Sequence, residues 1–97
     1  MQKPDLTKPS VEGLAYILRH TEEWPEGFTW DYGRLGGCAL ALTDSRWGLN
    51  DSYESAAALG LTSDQRWEIF FALWGQTDNP EPEDVATALE AIHVNNN

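Results

Sequence analysis

The residue best suited to chemistry is Cys38, the single cysteine of the chain, because its side chain is a thiol. Gly36 and Gly37 precede it, and the small and aliphatic residues 39–42 that follow predict a short buried helix. A thiol at a helix N-terminus has a lowered pKa, and the two glycine N–H groups could form an oxyanion hole. A thiol-dependent hydrolase or transferase would then take its base from His20 or His93 and its orienting carboxylate from Asp31.

The same stretch also has a structural interpretation. Leu35, Cys38, Ala39 and Leu42 fall at the spacing of one helical face, which would bury the sulfur. Free cysteine is among the residues most often buried and inert. We therefore expect a packed thiol and no catalytic residue, and the thiol enzyme remains the alternative hypothesis.

Metal and nucleotide motifs are not found in the sequence. His20, Cys38 and His93 form no HxxxH or CxxC pair, and Glu22-Glu23 and Glu83-Asp84 lack the alternating pattern of a calcium loop. The glycines at 33–37 are not followed by the lysine of a phosphate loop. The sequence predicts neither a metal site nor a cofactor.

The charge balance indicates which partners are suitable. Sixteen acidic residues against six basic ones give a net charge of −10, and no Lys or Arg follows Arg66. Direct binding to nucleic acid or to an anionic membrane is disfavoured, because both require basic side chains. We expect a surplus acidic surface, which either only aids solubility or meets a basic protein surface.

Cellular location is inferred from simple features. A single cysteine favours a reducing compartment, and no apolar run approaches the roughly 20 residues of a membrane span. The N-terminus starts with Met1 and has no signal-peptide hydrophobic region. We expect a cytoplasmic protein and a complete gene product.

Cap and periodicity signals predict an all-α fold. Ser10 begins a helix that runs to His20, further helices end at Gly48 and Gly60, and the last one begins at Pro82. Thr62 and Gln65 have capping-box spacing. We expect a single domain of four to five short helices wrapped around the 65–74 helix. Residues 1–9 and 94–97 are predicted to be flexible, and 28–32 is predicted to be the only strand-like segment.

Two sets of aromatic residues call for explanation. The spacing of Trp67, Phe70, Phe71 and Trp74 predicts a buried helical stripe, or an apolar face shared by two copies in a homodimer. Trp24, Phe28, Trp30 and Tyr32 lie beside acidic residues and could form an exposed contact patch. The function hypothesis is a non-enzymatic protein that binds a basic partner, plausibly as an inhibitor. Its predicted contact residues are Glu22, Glu23, Trp24, Glu26, Asp31, Glu81, Glu83 and Asp84.

A family resemblance rests on residues 24–48. The segments WPEGFTWDY (24–32) and CALAL (38–42), followed by Trp47-Gly48, resemble small uncharacterised bacterial and phage-associated proteins, with Ala41 where a glycine is expected. The resemblance implies no particular activity. By size and charge alone, the chain is also similar to inhibitors of bacterial defence systems, including anti-CRISPR proteins.

Overall fold

The computed structural model describes residues 3–34, 36–75 and 78–95, with the backbone alone for Trp74 and for 93–95. Five α-helices follow one another within these ranges, and no strand occurs among the described residues, which confirms the all-α prediction. The helices are α1 (Val11–Arg19), α2 (Ala39–Trp47), α3 (Ser52–Leu59), α4 (Ser63–Phe70) and α5 (Pro82–Asn95). Short 3-10 turns occupy Thr21–Glu23 and Ala72–Gly75.

Local capping sets the starts of three helices. The hydroxyl of Ser10 accepts a hydrogen bond from the N–H of Gly13, and the carboxylate of Asp51 accepts one from Glu54. Thr62 and Gln65 form both halves of the predicted capping box. Each cap satisfies N–H groups that a first helical turn leaves without partners, so the helix starts follow from short sequence signals.

The helix ends depend on glycine in two places. Gly48 and Gly60 adopt left-handed backbone conformations, with φ of 72° and 78°, and their N–H groups return to carbonyls of the preceding turn. A side chain would be strained in this conformation, which is why glycine ends these helices. Both ends agree with the sequence prediction.

The core is centred on the packing of α1 against α5. This is the most extensive helix–helix contact in the described chain. The fully buried leucine, isoleucine and valine side chains come mainly from these two helices, with one each from α2 and α4: Leu14, Ile17, Leu18, Val85, Leu89, Leu42 and Ile69. The prediction that the domain wraps around the 65–74 helix is therefore wrong.

The predicted 65–74 helix is also shorter than expected. It ends at Phe70, because Phe71 has a non-helical backbone (φ −135°, ψ −41°), and the chain then tightens into the 3-10 turn. The buried stripe consists of Ile69, Phe70 and Leu73, whereas Trp67 is 56% exposed. Since residues 69–74 are all apolar, a buried stripe through Trp67 and one through Ile69 fit the pattern equally well. The packing against α5 selects the stripe through Ile69.

The N-terminal arm, predicted to be flexible, is docked on the helices. Leu6 is buried in the core, and its carbonyl accepts a hydrogen bond of 2.9 Å from the indole of Trp47. The ammonium of Lys3 lies 3.0 Å from a carboxylate oxygen of Glu23. The buried Leu6 side chain and the Lys3–Glu23 ion pair thus hold this arm on the helices. The sequence of the arm does not indicate these contacts.

The segment 28–32 crosses the helices without pairing as a strand. The N–H of Asp31 donates to the carbonyl of Gly37, at 2.6 Å, and the indole of Trp30 donates to the carbonyl of Pro80, at 2.8 Å. These bonds replace the missing strand partner.

None of the helices in the described part of the chain is both long and apolar enough to cross a bilayer.

Candidate partner-binding surface

Two large apolar side chains stand out from the described surface. Tyr53 is 70% exposed and Trp67 is 56% exposed, on the neighbouring helices α3 and α4. The indole N–H groups of Trp24, Trp30 and Trp47 all donate to backbone carbonyls inside the protein. Exposed tyrosine and tryptophan are typical of contact surfaces, where they contribute large rigid areas.

Contacts of the Arg66 guanidinium and of the Phe71 ring connect Tyr53 and Trp67 into one surface. The guanidinium of Arg66 lies 4.1 Å from the ring centroid of Tyr53 and 5.6 Å from that of Phe71. The rings of Phe71 and Trp67 are stacked, with centroids 5.1 Å apart and planes 27° apart. We refer to Tyr53, Arg66, Trp67 and Phe71 as the α3–α4 aromatic face.

Arg66 fixes the geometry of this face. Its Nη1 donates to the hydroxyl of Ser52, the first residue of α3, at 3.1 Å. Its Nε is fully buried and has no hydrogen-bond partner. An unpaired buried N–H costs stability, so the stacking of the guanidinium between two rings has to offset that cost. Arg66 therefore contacts both α3 and the Phe71 ring at this face.

The helices that carry the α3–α4 aromatic face lie in an acidic stretch of the chain. Residues 51–72 contain four acidic residues and one basic residue, a net charge of −3. The four are exposed, and they are Asp51, Glu54, Asp64 and Glu68. An apolar surface on such an acidic stretch is complementary to apolar and basic groups.

The sequence reasoning missed this face, although a signal for it was present. Trp67 lies between Arg66 and Glu68, and Tyr53 is followed by Glu54. Charged neighbours on both sides of an aromatic residue are typical of a helix surface.

Some of the predicted acidic contact residues are exposed, and others have partners within the protein. Glu22, Glu26 and Glu81 are exposed. Glu23 is bound by both Lys3, at 3.0 Å, and Arg46, at 2.9 Å, and these cations hold the pKa of the Glu23 carboxyl below its usual range. This carboxylate is therefore committed to holding the arm and α2 in place.

Two of the C-terminal acidic residues pair with a cation, although no Lys or Arg follows Arg66 in the sequence. Arg19 reaches across from α1 and contacts Glu83 at 3.0 Å and Glu90 at 2.7 Å. Asp84 accepts the N–H of Glu81 and so caps α5. These ion pairs join residues that are far apart in the chain, so the sequence alone does not indicate them.

The predicted aromatic contact patch is largely internal. Tyr32 is buried, and Trp24, Phe28 and Trp30 are partly buried against the core. The indole of Trp24 donates to the carbonyl of Ile17 at 2.7 Å. These rings mainly hold the 24–32 segment on the helices, so the patch is not the exposed surface that was predicted.

The described residues of the thiol-enzyme alternative have other contacts in the structure. Cys38 precedes α2 as its N-cap residue and is buried. The ring of His20 stacks on Tyr16 and its Nδ1 lies 2.8 Å from the Tyr16 carbonyl. Asp31 accepts the N–H of Gly33, and the N–H of Gly37 already donates to the carbonyl of Arg34. The side chain of His93 lies outside the described residues.

Tyr32 lies near this cysteine and has a shifted pKa. Burial raises the pKa of its phenol to about 12, and the nearby Cys38 acts in the same direction. The hydroxyl donates to the carbonyl of Ile69 at 2.9 Å. This bond ties the 24–37 segment to α4, so the tyrosine is structural.

The shifted pKa of Tyr32 predicts an alkaline loss of stability. An unfolded tyrosine ionises near pH 10 and the folded one near pH 12, so the unfolded chain binds fewer protons in between. The free energy of unfolding should fall by about 2 to 3 kcal/mol across this range on account of Tyr32. Urea titrations from pH 9 to 12 should show this loss, and Tyr32→Phe should remove that part of it. Equal pH profiles for both proteins would contradict the assignment.

Small-molecule and metal sites lack support in the described chain. A cleft of about 280 Å³ contains Glu23 and Arg46, which bind each other. A second one of about 250 Å³ lies between the start of α1, the end of α3 and Ile92 of α5. Among the described residues, no three His, Cys, Asp or Glu side chains come together in a group that could hold a metal ion.

No protein-family model, curated protein or solved structure matches this chain.

Proposed function

We propose that the protein is a non-enzymatic binding protein of the cytoplasm that attaches to a basic surface of a partner protein. The observation that carries this proposal is the α3–α4 aromatic face, where Tyr53 and Trp67 are exposed on helices that also carry exposed acidic residues. Tyrosine, tryptophan and arginine are the residues most enriched at energetically dominant contact positions, and this face contains all three.

The overall charge supports the same function. A net charge of −10 on a chain of 97 residues attracts a basic protein from a distance and speeds encounter. The aromatic rings then supply the short-range contact that keeps the complex together. An inhibitory role, of the kind that the similarity to small phage proteins suggests, follows if the partner uses the same basic surface for nucleic acid.

A homodimer through the α3–α4 aromatic face is the second candidate, since the exposure of Trp67 would also suit a shared interface. Two copies would bring together two surfaces that each carry a net charge of −3 over residues 51–72. Like charges at an interface oppose association, which favours a basic partner over a second copy. Light scattering of the purified chain should accordingly give the mass of a monomer, 10.9 kDa.

Affinity capture at two salt concentrations tests the proposed function. The full chain is immobilised and exposed to a lysate of its own organism at about 50 and about 500 mM salt, which shortens the Debye length roughly threefold. We expect a protein of basic isoelectric point to be retained at low salt and largely lost at high salt.

The matched control is the triple variant Glu54→Gln, Asp64→Asn and Glu68→Gln, which removes charge around the face but keeps side-chain shape. It should retain the partner weakly at both salt concentrations. Retention of no protein, or of an acidic protein regardless of salt, would contradict the proposal.

A further inference from the structure

We infer that Trp67 is the contact site for an arginine side chain of the partner, held between the indole ring and the carboxylates of Asp64 and Glu68. This inference rests on the proposed function and specifies the chemistry at its surface. According to this inference, the α3–α4 aromatic face binds a basic protein segment in which arginine alternates with apolar residues.

The helical positions of these residues bring them to one side of α4. Positions 64, 67 and 68 follow the i, i+3, i+4 spacing of a single helical face, and Phe71 follows α4 as its C-cap residue. Phe71 packs partly against the core and stacks on Trp67, so it supports the indole from one side. The indole is nevertheless 56% exposed, which leaves it accessible to a partner.

The same face already binds one guanidinium by stacking. Arg66 lies over the ring of Tyr53 at 4.1 Å, with Phe71 5.6 Å from it, and one of its nitrogens donates to Ser52. An arginine of the partner would stack on the indole of Trp67 in the same way, since Trp67 is the next ring beyond Phe71. Tryptophan is the best aromatic surface for a cation, and the planar guanidinium stacks better than the ammonium of lysine.

The two carboxylates lack a cation inside the protein. Within the described ranges, neither Asp64 nor Glu68 forms an ion pair, and both side chains are exposed. They lie four residues apart on α4, where like charges repel and weaken a helix. An incoming arginine relieves this repulsion and can pair with a carboxylate while it stacks on the indole.

The inference is tested with a synthetic amphipathic peptide of alternating arginine and leucine positions, added to ¹⁵N-labelled full-length protein. The indole N–H resonance of Trp67, assigned by its absence in Trp67→Phe, should shift in a saturable manner. Replacing each arginine of the peptide by citrulline, its neutral isostere, should lower affinity at least about tenfold, and lysine should lower it less.

Protein variants locate the contact. Trp67→Ala, which should remain folded by circular dichroism, is expected to bind the arginine peptide about tenfold or more weakly. Glu22→Gln/Glu26→Gln removes two exposed charges outside the face and should have a much smaller effect. Equal binding of the citrulline peptide, or perturbation centred on Trp24 or Trp30 instead of Trp67, would overturn the inference.

The outcome can be separated from that of the proposed function. A captured basic partner that binds wild type and Trp67→Ala equally would remove the inference and leave the function standing. Specific binding of the arginine peptide at Trp67, with no basic protein captured, would support the arginine site and remove the function.

Discussion

Replacing Leu89 by alanine is expected to lower the free energy of unfolding by about 2 to 5 kcal/mol. Leu89 is fully buried on α5, the helix that packs most extensively against α1. Truncation removes buried methyl groups and leaves a cavity that rigid neighbouring helices close only in part. Because a small domain has a total stability of only about 5 to 15 kcal/mol, this variant should be severely destabilised.

The matched control for Leu89→Ala is Trp67→Ala. Trp67 is the larger side chain and was predicted to lie on the central helix, but it is 56% exposed and loses mainly its stacking on Phe71. Its truncation should cost about 1 kcal/mol. Urea denaturation of both variants measures the difference. A larger loss for Trp67→Ala than for Leu89→Ala would contradict a core centred on α1 and α5.

Replacing Gly37 by alanine is expected to destabilise the protein by about 1 to 3 kcal/mol through overpacking. A Cβ at this position would lie 2.9 Å from the backbone nitrogen of Asp31 and 2.9 Å from the carbonyl oxygen of Thr29. Both neighbours are backbone atoms, so no side chain can rotate away. The loop has to open instead, which strains the 2.6 Å hydrogen bond from the Asp31 N–H to the Gly37 carbonyl.

The adjacent glycine provides the control. A Cβ on Gly36 would meet nothing within 4 Å, and its φ is not in the left-handed region. Gly36→Ala should therefore be neutral or stabilising by up to about 1 kcal/mol, because alanine restricts the unfolded chain. Thermal unfolding of the pair distinguishes the two positions, and similar Tm values would show that the close approach at Gly37 is not needed.

The fold could be predicted where the signals are local. Ser10 and the Thr62–Gln65 pair cap the first turns that they were predicted to cap, and Gly48 and Gly60 end their helices. Each of these interactions involves residues within one or two turns. Their geometry is a property of the short segment and does not depend on the rest of the chain.

The errors arose where distant residues decide the outcome. Arg19 pairs with carboxylates 64 and 71 residues away, and the indole of Trp30 bonds to a carbonyl 50 residues away. Periodicity also could not choose between Trp67 and Ile69 as the buried residue of α4, since only the packing of α4 against the other helices separates the two registers. These contacts give Glu83 and the indole of Trp30 partners within the protein that the sequence did not indicate.

The same long-range packing determines the candidate site. The sequence pattern assigned Trp67 to the core and Trp24 to the surface. In the structure Trp67 is exposed and Trp24 is partly buried against the core. Tyr53 and Arg66 are 13 residues apart, and only the packing of α3 on α4 brings the ring under the guanidinium. The sequence predicted an acidic and aromatic contact surface for a basic partner, but on residues other than those of the α3–α4 aromatic face.

NMR cross-saturation from the captured basic partner tests the central claim most directly. Irradiation of the unlabelled partner attenuates only those resonances of the labelled protein that lie at the interface. We predict the strongest attenuation at the indole N–H of Trp67 and the amides of α4, and little at the indoles of Trp24, Trp30 and Trp47. Attenuation centred on residues 22–31, with Trp67 unaffected, would contradict a binding surface on the α3–α4 aromatic face.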